Sequence, residues 1–234
     1  MHPWGKTLNK PVLLICVFLL AGTASADPCP TDTLPTYIGL GTGGCSIGPV
    51  QFSGFVSLPI PGFATQIQPA DVQVVPINIG LNPGLEFQVN TSAGPGEFLD
   101  IVIGYLVSGP LLSQGMLSMT GAAATGDGAV TVIEDFCLGG TFDPDGPTGC
   151  TGTTNNLILF AIEGDSLTTD QLLFAPVSQI NVIKDIGVDG GLLGTATLAS
   201  ASNQYTIIPE PGTLALVGSG LAAAGLLRRR GRRC

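Results

Sequence analysis

The chain has 234 residues, a formal net charge of −9 and 11% charged residues, and Lys184 is the single Lys or Arg between positions 27 and 208. That stretch holds sixteen of the seventeen acids, a formal charge of −15, so it lacks the cations that nucleic-acid phosphates require and would be repelled by anionic lipid surfaces. It also has no histidine, His2 lying upstream, which excludes Ser-His-Asp and Cys-His nucleophilic sites.

The N-terminus reads as an export signal. Lys6 and Lys10 form a basic start, residues 12–20 an apolar core, and Ala24-Ser25-Ala26 a small-residue cleavage site, so a signal peptide is expected over 1–26. Leu20-Ala21-Gly22 is followed by Thr23 and not by cysteine, which argues against lipidation.

From residue 27 the dominant period is two. Strands are expected at 51–58, 72–75, 85–89, 99–107, 130–134, 157–162, 180–184 and 192–198, where apolar residues alternate with polar or small ones. Asn82-Pro83-Gly84, Gly94-Pro95-Gly96, Gly126-Asp127-Gly128, Asp143-Pro144-Asp145-Gly146 and Asp189-Gly190-Gly191 supply turns between them. The run 121–126 reads as a hairpin end or a small-residue strand, 167–174 as a helical turn or two, and 199–208 as a last strand or a tether. No amphipathic helix stands out. The expectation is all-β: one antiparallel β-sandwich, jelly-roll or Greek-key-like, forming a single domain over 27–208.

Four cysteines fall in this domain, Cys29, Cys45, Cys137 and Cys150, with Cys16 and Cys234 outside it. An even number in an exported chain points to disulfides, with three possible connectivities. Cys29–Cys45 and Cys137–Cys150 are favoured because each pair brackets a glycine-rich loop, and such a closure stabilises by ~3 kcal/mol in the chain-entropy model. Zinc does not fit, since there is no Cys-x-x-Cys and no histidine, so no metal and no cofactor are expected.

Catalytic residues are not expected either. Glu134 and Asp135 are adjacent, but on a strand they point to opposite faces. Glu163 and Asp165 share a face only if a strand continues through Gly164, which reads as a strand end. A pair of acids assembled by the fold would be needed for glycoside hydrolysis. Asp143-Pro144-Asp145-Gly146 has too few acids for an EF-hand-type calcium loop and reads as a plain turn. The aromatic complement of the domain is Tyr37, Tyr105, Tyr205 and phenylalanines, and Tyr105 lies in the most apolar strand, as a core residue would. Asn90-Thr91-Ser92 matches a glycosylation sequon that says little, and Thr151-Gly152-Thr153-Thr154 lacks the regular repeat of an ice-binding face.

The C-terminus is the most informative segment. Pro209-Glu210-Pro211 interrupts regular structure, residues 213–227 carry no charge, and Arg228, Arg229, Arg230, Arg232 and Arg233 close the chain before Cys234. Fifteen helical residues reach ~22 Å against a hydrocarbon core of ~30 Å, and snorkelling arginines extend that reach from the cytoplasmic side. Over 209–234 the pattern resembles the PEP-CTERM sorting signal of Gram-negative bacteria. The resemblance implies an exosortase-type membrane protease as partner, an inner-membrane anchor that is transient or permanent, and delivery to the cell surface or extracellular matrix. It further implies a role linked to exopolysaccharide or biofilm matrix, which the residues, lacking histidine and a local acid pair, lead us to expect to be non-enzymatic. The alternatives are a surface carbohydrate-active enzyme and a calcium-dependent adhesin.

Overall fold

The structure, a computed structural model, describes residues 26–59, 62, 64–143, 149–208 and 219. The expected leader and sorting segment thus lie outside the described residues except for Ala26 and Ser219, and so do positions 144–148 of the Asp143 turn. Among the described residues no helix is long and apolar enough to cross a membrane.

The described chain is predominantly antiparallel β-structure. Its strands are β1 (Asp32–Thr33), β2 (Cys45–Ile47), β3 (Val50–Leu58), β4 (Thr65–Gln66), β5 (Gln73–Ile79), β6 (Asn82–Ala93) and β7 (Phe98–Thr120). They continue with β8 (Ala123–Thr125), β9 (Ala129–Leu138), β10 (Thr153–Ile162), β11 (Asp165–Leu167), β12 (Thr169–Asp189) and β13 (Thr195–Ile207). One short helix, α1 (Leu34–Gly39), precedes β2.

Two long strands organise the fold. The first half of β7 pairs with β3 and with the second half of β12, which in turn pairs with β9 and then β10. The second half of β7 pairs with the first half of β12 and with β13, which continues into β6 and β5. Both long strands change wing where a proline interrupts them. Pro110 in β7 and Pro176 in β12 fall in the stretch where the register slips between Leu173, Val177 and Gln179. A proline donates no ladder hydrogen bond, so the pairing loosens there and the strands bend.

The two wings enclose one core. Tyr105 of β7 stacks on Phe55 of β3 at 5.4 Å and meets Phe87 of β6 at 5.8 Å between ring centroids. Its hydroxyl lies 2.9 Å from that of Tyr205 on β13. This arrangement is consistent with the expected sandwich.

Local readings are corrected at three places. Residues 167–174 run through β11 and into β12, because the edge pairing to β7 takes their backbone groups and leaves no helix. Asn82-Pro83-Gly84 is not a turn but the start of β6. The reversal comes two residues earlier at Gly80, whose φ of +58° suits glycine. Residues 192 and 193 form a turn, and the strand expected there starts at Thr195. Helix α1 was not anticipated; Pro35 sits in its first turn, and it is held by burial of Leu34 and Tyr37.

Candidate functional site

Lys184 is fully buried. It follows the phase of Ile180, Val182, Ile186 and Val188, all of which face the core, so alternation along β12 places the one cation of the domain inside. Glu134 holds the matching phase on β9, in step with Val130, Val132 and Phe136, and Asn203 does so on β13, in step with Ala201, Tyr205 and Ile207. Parity within each strand was the sequence signal for this cluster. It was masked because a polar residue in an alternating strand is ordinarily read as solvent-facing.

The three side chains converge on one carboxylate. Lys184 and Glu134 are direct cross-strand partners, with Nζ 2.8 Å from Oε2. Asn203 reaches across from the other wing and donates Nδ2 to the same oxygen, Oε2. Tyr205 donates its hydroxyl to Oε1 at 3.2 Å, which leaves Tyr105 to donate to Tyr205. Phe87 lies under Lys184, its ring centroid 5.9 Å from Nζ. The Oδ1 of Asn203 is buried without a hydrogen-bond partner. Burial lowers the lysine pKa against the opposing pull of Glu134; burial followed by the Glu134 charge raises Tyr105, and burial followed by Tyr105 and then the Glu134 charge raises Tyr205, both well above their usual value.

A second cluster lies on the opposite face of the first wing. Asp135 points away from Glu134, as alternation requires, and feels the charge of Asp185 on β12, which in turn acts on Asp100 of β7. Asp100 is buried with its Oδ1 unpartnered, and Asp185 stands close enough to act on its ionisation. Burial first, then the Asp185 charge, lifts Asp100 to about 7; burial also raises Asp185, and burial with the Asp185 charge raises Asp135. The fold therefore does assemble acids that are far apart in sequence. Among the described residues no group of three or more His, Cys, Asp or Glu is arranged to hold a metal.

The remaining candidate features are structural. Disulfides join Cys29 to Cys45 and Cys137 to Cys150. Glu163 and Gly164 form the two-residue turn between β10 and β11, with Ile162 paired to Asp165. An open groove of about 350 Å³, lined by Asp135, Phe142, Thr154, Asn155 and Asn156, lies beside the Cys137–Cys150 loop. Asp127 caps the 190–194 turn by accepting the N–H groups of Leu192, Leu193 and Gly194, which lowers its pKa.

The end of the folded domain is sharply set. β13 stops at Ile207, whose N–H bonds Leu81 O at 3.0 Å, and the N–H of Ile208 bonds Leu111 O at 2.8 Å. The backbone is thus tied to the body up to the residue before Pro209. The family model of the PEP-CTERM protein-sorting motif matches residues 208–233. The chain carries a PEP-CTERM sorting motif. That motif starts where the hydrogen-bonded body ends, with no intervening linker, and it contains Pro209, Glu210, Pro211 and the five arginines singled out above. It marks an exported, membrane-transiting precursor recognised by an exosortase.

Solved structures resemble this chain only distantly. One is TmCBM61 in complex with beta-1,4-galactotriose, with 11% identity, coverage of 75% of this chain and 98% of that one, and a TM-score of 0.28. Another is the Glycosylation Associate Protein (Gap123) complex from Streptococcus agalactiae, with 12% identity, coverage of 60% and 25%, and a TM-score of 0.27. No curated protein matches the chain.

Proposed function

We propose that this is a non-enzymatic β-sandwich of the cell surface or extracellular matrix, delivered there by cleavage of its sorting segment. The observation that carries the reading is the PEP-CTERM motif over 208–233, placed directly after a strand whose last residues are hydrogen-bonded into the body. A protease acting near Pro209-Glu210-Pro211 meets a chain that leaves the fold at a fixed point, and the released body stays intact.

The body suits a passive exterior role. Two disulfides fit an oxidising compartment, and an excess of acids with no exposed lysine among the described residues keeps the product soluble and away from anionic lipid. Association with exopolysaccharide rests on the sorting resemblance alone. Fractionation of the native host with and without its exosortase tests the reading. The chain should be found in the surface or medium fraction of the first and be retained in the membrane of the second; the same distribution in both would contradict it.

A further inference from the structure

Lys184, Glu134 and Asn203 bring an amine, a carboxyl group and a carboxamide together in the solvent-inaccessible core. We propose that the chain forms an intramolecular amide bond between Lys184 Nζ and Asn203 Cγ, with Glu134 carrying the protons and ammonia as the leaving group.

The geometry supplies each requirement of that reaction. A single oxygen, Glu134 Oε2, contacts both the attacking nitrogen, Lys184 Nζ at 2.8 Å, and the departing nitrogen, Asn203 Nδ2. Tyr205 holds the other oxygen, Oε1, and so fixes the carboxyl group with Oε2 toward the two nitrogens. The carbonyl oxygen Asn203 Oδ1 has no hydrogen-bond partner, so the carboxamide is held through Nδ2 alone and its carbonyl carries no competing contact. Burial lowers the basicity of Lys184 and so raises the fraction of free amine. The rings of Phe87, Tyr105 and Tyr205 surround the site and keep out water that would compete for the carbonyl. Holding the groups on paired strands turns a bimolecular condensation into a unimolecular one, with effective molarities on the order of 10⁵ M or more for well-oriented groups.

The atoms balance without an oxidant or an activating nucleotide. Lys184 ammonium transfers a proton to the Glu134 carboxylate, and the free amine adds to Cγ of Asn203. Glu134 returns a proton to Nδ2 while accepting one from Nζ, the Cγ–Nδ2 bond breaks, and ammonia departs. A secondary amide replaces an ammonium group and a primary amide. The product removes the buried cation, whose desolvation makes an ordinary ion pair here a poor source of stability.

Placement in the fold gives the bond a use. Lys184 lies on β12, paired to β9 and β7, whereas Asn203 lies on β13, five positions before the exit at Ile208. Load entering through the C-terminal end of β13 would pass into the opposite wing through a covalent bond.

The test is a mass measurement on the wild-type chain, denatured and fully reduced, with both termini assigned in the same experiment. A deficit of about 17 Da, the mass of ammonia, is expected, together with a branched peptide joining the segments around 184 and 203 after chymotrypsin digestion. Linear peptides only, with Lys184 open to amine acetylation in denaturant, would overturn the proposal. A deficit traced to a succinimide at Asn203 with no branch would overturn it equally. Glu134→Gln, which keeps the shape and loses the proton carrier, should yield unbranched peptides, and a branched peptide from it would overturn the role given to Glu134. The wild-type digest decides the bond itself even if that variant does not fold.

Discussion

Lys184 and Glu134 face each other as direct partners on β12 and β9, 2.8 Å apart, and neither side chain exposes any surface. In a domain with one basic residue, that residue has been withdrawn from solvent completely. It serves neither solubility nor surface recognition.

Breaking the pair from one side strands a charge. Lys184→Met leaves the Glu134 carboxylate buried with only neutral partners, besides removing the proposed bond to Asn203, and should destabilise by at least ~3–5 kcal/mol, read by urea denaturation. Adding Glu134→Leu to it should recover part of that loss. A double variant less stable than the single one would show that the carboxylate is not what penalises the single variant.

The outer acids predict the pH dependence. Asp100 titrates at about 7 in the folded protein against an ordinary value of 3.8, so the folded state holds the proton more tightly than the unfolded one. Its contribution is complete below the unfolded value and is lost as pH rises through about 7. Melting temperature should therefore be higher at pH 5 than at pH 8, by a free-energy difference on the order of 1–2 kcal/mol after solvent screening. Asp100→Asn should flatten the profile. An unchanged slope in that variant would assign the effect to other groups.

Asn90 offers a backbone test. It has φ of +42° in β6, beside the register shift between Leu198 and Ser200 of β13. Asparagine tolerates that region and a β-branched residue does not, so Asn90→Val should cost ~1–2 kcal/mol in thermal unfolding, and a neutral result would contradict the assigned bulge.

Close approach of strands gives a further prediction at Gly84. A Cβ there would lie 1.8 Å from the carbonyl oxygen of Asn203. Gly84→Ala must push β6 and β13 apart beside the buried cluster and should destabilise by more than ~2 kcal/mol in chemical denaturation. An alanine variant as stable as wild type would show that the strands are further apart than this.

Much of this was legible before any fold was known, and the failures have physical causes. Alternation at 99–107 and 130–134 located β7 and β9 because one-sided burial enforces period two. The same rule separated Glu134 from Asp135. It did not reveal that β7 and β12 continue past Pro110 and Pro176, since proline reads as a strand end and the bend that accommodates it depends on partners distant in sequence. Asn82-Pro83-Gly84 looked like a turn for the same reason; Pro83 is accepted in β6 opposite Asn78 of β5, two pairs from Pro76. The Lys184–Glu134–Asn203 cluster needed three strands to be set in register, and only the parity of each residue within its own strand was available from sequence.

The measurement that tests the central claim most directly is the C-terminal residue of the protein recovered from the native host, from membrane and extracellular fractions separately. An extracellular product ending between Pro209 and Pro211 is the predicted result. A chain that ends at Cys234 and is found only in the membrane would contradict the account.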